Sequence, residues 1–442
     1  MELGTNALIN SPSLWGLIPL LIYIVLIFMN QSNLVATLVG IFVGAIITGQ
    51  SLGMMADNFA ASLGSSVAII GFIIMLGSGL GKLMNRSGIT KTLVYWIVKR
   101  IGVDTQSKAK LVIIIVSIVI CGLLGTLGGG NAVVAPIIIP ILATVGITPS
   151  AASLILKNAG EVGLIWGPLT GVTLMSLKVT GLSYGRFMLF AAIPFGVLWL
   201  IGTWIGANRV QKQTVGTESY EITEDMKVEN NQSTKRENIA TIIFLLTFIA
   251  LVVYGILAEQ GTSYAILVMV VLIVVVSIVG GIKPKEAETE VISGVASMAE
   301  LFLIFVTIDV LLNLVTVAGG FEALANFIEN AFNGIGATSV MLISSITGGL
   351  GIEAAAVSEI QIISDMFGEM ARNAKLPMEM FAISLLAATR LTGSIYPTSN
   401  LVGQMGIAHS SNMKKVLQGN WISIVPVVIF IIVWAFVGVK IL

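Results

Sequence analysis

Apolar residues along this chain come in long unbroken runs rather than in alternation. Leu14 to Met29, Phe187 to Ile205, Ile239 to Leu257, Tyr264 to Val279 and Trp421 to Leu442 are such runs. Each approaches or reaches the roughly 20 residues that a helix needs to cross about 30 Å of hydrocarbon. The ten-residue alternation of an outer-membrane barrel does not occur. A single long polar stretch, Gln211 to Asn238, rich in Glu and Lys and almost without apolar periodicity, divides the runs into two sets. The pattern therefore predicts an all-α polytopic membrane protein with a first repeat at 1–210, a linker at 211–238 and a second repeat at 239–442. Each half is expected to hold two spans, a third ending in glycine, an amphipathic helix, a Gly-rich hairpin, a broken span and a final span.

Two of the apolar segments are interrupted, and they occupy matching positions about 230 residues apart. Gly163 to Gly171 reads Gly-Leu-Ile-Trp-Gly-Pro-Leu-Thr-Gly, and Gly393 to Asn400 reads Gly-Ser-Ile-Tyr-Pro-Thr-Ser-Asn. An unwound segment at membrane depth exposes backbone polar groups that lipid cannot satisfy, so it survives only inside protein or beside a cavity. Paired interruptions point to a binding site at the membrane midplane. A proline kink with hydroxyls bonded back to the helix is the competing explanation for either break alone.

Charge placement decides the relation between the halves. Lys82 to Lys110 carries seven basic residues, whereas its counterpart, Gly319 to Gly336, carries none and holds Glu322 and Glu329. Short cytoplasmic loops are enriched in Lys and Arg, so the two equivalent loops are expected on opposite sides and the repeat is expected to be inverted. With five spans and one re-entrant hairpin per half, the hairpins at 112–145 and 339–366, sixteen of the 23 basic residues fall inside and the linker is cytoplasmic. The alternative for the first hairpin is an ordinary Gly-rich helix crossing. No Lys or Arg precedes Lys82, so Leu14 to Met29 is expected to be a retained helix of a protein in the cytoplasmic membrane.

Composition agrees: 56% of the 442 residues are hydrophobic and 10% charged, with a mean hydropathy of +0.98, a balance far from that of soluble domains. The formal net charge of zero gives no argument for a nucleic-acid partner. The lone cysteine, Cys121, rules out an intrachain disulfide. No Walker A, Gly-x-Ser-x-Gly or His-Glu-x-x-His motif occurs, so neither ATP-driven transport nor hydrolysis is expected and the chain does not read as an enzyme.

Candidate chemistry lies in the breaks and hairpins. Pro168 and Pro397 each remove a backbone donor, while Thr170, Thr173, Ser394, Thr398, Ser399 and Asn400 offer hydroxyl and amide oxygens. Unwound carbonyls attract cations, and half-helix N-termini attract anions. The first hairpin places Asn131 at its expected turn, beside Gly128 to Gly130; the second places Glu353 near the equivalent position. Lys157 and Glu161, four apart, share a helix face. Arg390 precedes the second break, and at membrane depth it needs a partner: Glu161, Glu353 or a substrate carboxylate. Substrate binding is thus expected from Asn131, Thr170, Thr173, Arg390, Ser394, Thr398, Ser399 and Asn400. Ion coupling is expected from Asn131, Glu161, Glu353, Thr398 and Asn400. Asp309, alone in an apolar span, is as well explained by a structural hydrogen bond. His409, the only histidine, has no second metal ligand at usable spacing, so no cofactor is expected beyond Na+.

The chain resembles the ion transporter superfamily, which includes divalent anion/sodium symporters, gluconate permeases, C4-dicarboxylate carriers and sodium/proton antiporters. Gly88-Ile-Thr-Lys-Thr-Leu93 after Gly79-Leu-Gly-Lys82 looks like the gluconate permeases. Tyr396-Pro-Thr-Ser-Asn400 looks like the break of C4-dicarboxylate carriers, and Ser183-Tyr-Gly-Arg-Phe187 is similar to segments that follow breaks in several of these families. The symporters' Ser-Asn-Thr signature is not reproduced around Asn131. The resemblance implies a scaffold domain that often dimerises, hence a homodimer, and a transport domain of hairpins and broken helices. The expected function is alternating-access transport of a small organic anion, a carboxylate, coupled to Na+ or H+. The alternatives are a Na+/H+ antiporter that exchanges ions at Glu161 and Glu353, and an amino-acid transporter.

Overall fold

A computed structural model describes residues 2–29, 31–220, 233–331, 336–347 and 356–441. Among these residues the fold is helical throughout. The first half contains α1 (Ile18–Phe28), α2 (Asn33–Thr48), α3 (Leu52–Ser62), α4 (Ser66–Arg86), α5 (Ile89–Ile101) and α6 (Gln106–Leu124). It continues with α7 (Leu127–Thr144), α8 (Pro149–Trp166), α9 (Gly171–Thr180), α10 (Tyr184–Phe187) and, after one turn of π-helix, α11 (Ile193–Thr214). The second half contains α12 (Lys235–Leu257), α13 (Tyr264–Val279), α14 (Pro284–Ala296), α15 (Ala299–Val317) and α16 (Gly320–Ala331). After it come α17 (Ala337–Thr347), α18 (Ala356–Asn373), α19 (Met378–Ile395), α20 (Ser399–Ile407) and α21 (Met413–Val437).

The order of elements in the first half recurs in the second. In both, two helices lead to a short third, then to a longer helix, an amphipathic one, a helix pair, a broken helix and a long last helix. The short helices α3 and α14 have no counterpart in the elements expected from the sequence, because their polar content hides them between apolar runs. Among the described residues seven helices are long and apolar enough to cross a membrane, and the bent pair α8–α9 makes an eighth. The helix pair of the first half differs from expectation in one respect. Its turn is Gly125–Thr126, with Gly125 at a φ of 69°, and Asn131 lies inside α7 rather than at the turn. At 19 and 18 residues, α6 and α7 are each long enough to span. The tip between α17 and α18 lies outside the described residues, and Glu353 with it.

Packing places the first break at the centre of the molecule. Helix α8 is clasped by α6, α11 and α20, and α11 runs along α21. In lipid, helices associate through close backbone approach at small residues. Gly163, one turn before the break, shows this: a Cβ there would stand 2.5 Å from the Ile118 carbonyl oxygen of α6. Gly163→Leu is expected to force α6 and α8 apart at a cost of about 1–3 kcal/mol or more, read as a lower Tm in detergent. An unchanged Tm would show that this contact holds nothing in place.

The linker's described start docks onto the bundle. Glu218 accepts the Ser150 N–H at the beginning of α8 (3.1 Å) and the Asn412 amide (3.0 Å), while Tyr220 donates its hydroxyl to the Ala408 carbonyl at 3.1 Å. Burial, reinforced by the neighbouring Glu218 carboxylate, pushes the Tyr220 phenol pKa upward.

Candidate functional site

The first break is the gap between α8 and α9, whose axes meet at 45°. Pro168 ends the helix, and the last carbonyls of α8 lose their intrahelical partners. Hydroxyls replace them. Thr170 donates to the Leu164 carbonyl and lies 3.0 Å from that of Gly167, and Thr173 reaches the Ile165 carbonyl at 2.8 Å. The Trp166 carbonyl takes the Tyr184 hydroxyl at 2.7 Å, and the Trp166 indole donates to Ala192 in the π-turn at 2.8 Å. Thr170 and Thr173 are buried and committed to the break itself. Their neighbours Gly171 and Val172 reach the cavity described below; the two threonine side chains do not.

The second break is more open. Helix α19 ends at Ile395, Tyr396 and Thr398 are extended, and Thr398 caps α20 by accepting the Leu401 N–H at 3.3 Å. The Ile395 carbonyl is taken by the Trp421 indole at 2.8 Å. Thr398, Ser399 and Asn400 line the cavity, and the last two are exposed. Ser394 is buried and accepts the Lys157 ammonium at 3.3 Å.

Between the breaks lies a buried charge cluster. Lys157 Nζ is 3.2 Å from Glu161 Oε2, and Arg390 Nη1 is 3.4 Å from Glu161 Oε1. Lys157 is wholly buried, Glu161 is 2% exposed and Arg390 3%. Lys157 also reaches Asn158 Oδ1 at 3.3 Å and lies 5.8 Å from the centre of the Trp199 ring. One carboxylate thus serves two cations, one from each half of the chain. Arg390 is only partly used: its Nε and Nη2 have no hydrogen-bond partner among the described residues. A buried donor without an acceptor is unfavourable, and an entering anion removes that penalty.

The acceptor has somewhere to enter. A cavity of about 380 Å³ is lined by Glu161, Arg390, Gly393 and the Thr398–Asn400 segment. It is also lined by residues at the starts of three helices, Leu127 to Gly129 of α7, Gly171 of α9 and Ser399 of α20, and by Ala356 of α18. A helix start carries a partial positive charge and free amides, and three of them favour a small anion. The volume sits at the small end of the roughly 300–1,000 Å³ typical of ligand sites. Apolar walls come from α4 and α15, through Ile74, Leu301, Ile304 and Phe305. Glu359, 2% exposed, adds a second carboxylate to the wall.

The structure therefore brings together Glu161, Arg390, Ser394, Thr398, Ser399 and Asn400. It separates Asn131, whose amide donates to the Leu156 carbonyl at 2.8 Å and to Gln404 Oε1 at 2.7 Å. Its oxygen accepts from Ser117 and from the Cys121 thiol at 3.5 Å. Asn131 ties α7, α8 and α20 together and does not line the cavity. Asp309 accepts from Asn313 at 3.2 Å. Among the described residues no group of three His, Cys, Asp or Glu is placed to hold a metal. Thr126 is not among the candidates the sequence offers; its one signal is its place immediately before Leu-Gly-Gly-Gly, an N-cap position.

Fold and site together describe a polytopic helical membrane protein with a cavity between two broken helices. A family model described as the C4-dicarboxylate anaerobic carrier DcuC matches residues 20–442, and the chain belongs to that family. Among solved structures, the Alcanivorax borkumensis YdaH transporter superposes with a TM-score of 0.61 at 14% identity, covering 87% of this chain and 88% of that one. Neisseria gonorrhoeae MtrF, presented as illuminating a class of antimetabolite efflux pumps, superposes at 0.60 and 14% identity, covering 98% and 96%. At such identity these two show the fold alone. A search of curated protein sequences finds no match. The chain is a transporter and not an enzyme, a secondary carrier of organic anions.

Proposed function

We propose that the protein moves a C4-dicarboxylate across the cytoplasmic membrane, driven by a Na+ or H+ gradient, by alternating access of the pocket between the two breaks. The observation that carries this reading is Arg390, a buried guanidinium on the cavity wall whose Nε and Nη2 have no partner among the described residues. A guanidinium with two free donors matches a carboxylate in shape as well as in charge. The family supplies the substrate class, and the charge distribution along the chain supports inverted halves with re-entrant hairpins and a cytoplasmic linker. A homodimer belongs to the same proposal.

The Na+/H+ antiporter reading is less well supported, because both oxygens of Glu161 are already engaged by Lys157 and Arg390. Of the residues expected to couple the ion, Glu161, Thr398 and Asn400 line the cavity, whereas Asn131 is spent within the protein. Proteoliposomes test the proposal. Succinate should accumulate under an inward gradient of Na+ or of H+, and collapsing the driving gradient with the matching ionophore should abolish uptake. No succinate accumulation under either gradient would overturn it. Dye-reported pH change on adding Na+ alone would favour the antiporter.

A further inference from the structure

We propose that Thr126 and the uncapped start of α7 form a second anion subsite in this cavity, which holds the carboxylate that Arg390 does not. The proposal rests on the reading of Arg390 above and adds the group that separates dicarboxylates from monocarboxylates.

Three helix starts on the cavity are preceded by threonine, and they differ. Thr170 and Thr398 each spend the side-chain oxygen on an amide of their own helix, as N-cap residues ordinarily do. Thr126 stands in the same extended conformation, with φ −133° and ψ 134°, yet makes no capping bond. It is 7% exposed, and its Oγ1 has no partner among the described residues. The amides of Leu127 and the two glycines after it precede the first intrahelical bond, which runs from the Gly130 N–H to the Thr126 carbonyl at 3.2 Å. They are the uncompensated donors of an 18-residue helix.

The two glycines line the cavity beside Thr126. A Cβ on Gly129 would lie 2.6 Å from Thr126 Oγ1, so glycine there leaves the hydroxyl its place. A Cβ on Gly128 would meet nothing within 4 Å, and Gly128 itself lines the cavity. A hydroxyl, neighbouring amides and the positive end of a helix are the donors a carboxylate oxygen takes. With Arg390 on the same cavity, the pocket has two anion-binding groups. A monocarboxylate that satisfies one leaves the other unpaired, and sites built to hydrogen-bond a substrate group reject analogues that lack it.

Succinate and butyrate share a four-carbon chain and differ by one carboxylate, so their binding to the purified full-length protein tests the subsite. Thr126→Val, which keeps the shape and removes the hydroxyl, is expected to weaken succinate binding about 10-fold or more while butyrate changes less than about 2-fold. Thr126→Ser should keep the wild-type preference. Gly128→Ala, whose methyl enters open space, should weaken succinate in the same selective way. Succinate binding that requires Arg390 but is unmoved by Thr126→Val and Gly128→Ala overturns the subsite alone. Equal loss of both ligands in Thr126→Val, unrescued by serine, also overturns it. A wild-type protein that binds neither ligand would sink the Arg390 reading, and this one with it.

Discussion

Arg390→Gln is expected to reduce dicarboxylate uptake by about 100-fold or more and to leave the protein folded. The first half of that expectation follows from the donor geometry. Two charge-assisted hydrogen bonds from one guanidinium edge are worth roughly 1.5–3 kcal/mol each, and each 1.4 kcal/mol is a factor of ten. The second half follows from the charges left behind. Removing Arg390 leaves Lys157 and Glu161 as a balanced pair 3.2 Å apart, so neither of these two buried charges is stranded. It also removes two buried donors that have no partner among the described residues. Arg390→Lys should fall between, because an ammonium keeps the charge but cannot present two parallel donors. Succinate uptake in proteoliposomes, read beside the Tm of the same preparations, checks both halves. Uptake within about 10-fold of wild type would remove Arg390 from the site.

The breaks were legible because proline and glycine interrupt an apolar run for a reason that belongs to the local backbone. What satisfies them was not. The hydroxyls of Thr170 and Thr173 read as ligands for the substrate, and they serve instead as the missing partners of α8 carbonyls. The same ambiguity misplaced Asn131, since an amide near glycines reads equally well as a ligand or a strut. Only the position of Gln404, on a helix of the other half, decides between them. The Lys157–Glu161 pair was legible from a spacing of four on one helix face. That Arg390 completes it depends on how α19 lies against α8, and no local pattern carries that. The family resemblance covered nearly the whole chain and the family model agrees with it, whereas the short helices α3 and α14 were invisible to any reading based on apolar length.

The largest loss of stability is expected from Glu161→Gln. A buried ion pair is weak evidence of stability while complete, but removing one partner leaves an uncompensated charge and costs about 3–5 kcal/mol. Here one carboxylate serves two cations, so the cost is lopsided. Glu161→Gln leaves Lys157 and Arg390 with neutral partners only among the contacts described: Ser394, Asn158 and the Trp199 ring. Lys157→Met leaves Glu161 and Arg390 as a matched pair and should lower the Tm far less. Lys157→Met added to Glu161→Gln should recover part of the loss, since one stranded cation remains instead of two. The cluster also ties stability to the substrate. A dicarboxylate supplies negative charge beside Arg390, so saturating succinate should raise the Tm of Glu161→Gln more than that of wild type, by the linkage between binding and folding. Equal Tm losses in Glu161→Gln and Lys157→Met would mean that packing, not charge balance, holds the cluster. A Glu161→Gln protein that succinate fails to stabilise would separate this carboxylate from the substrate's place in the cavity.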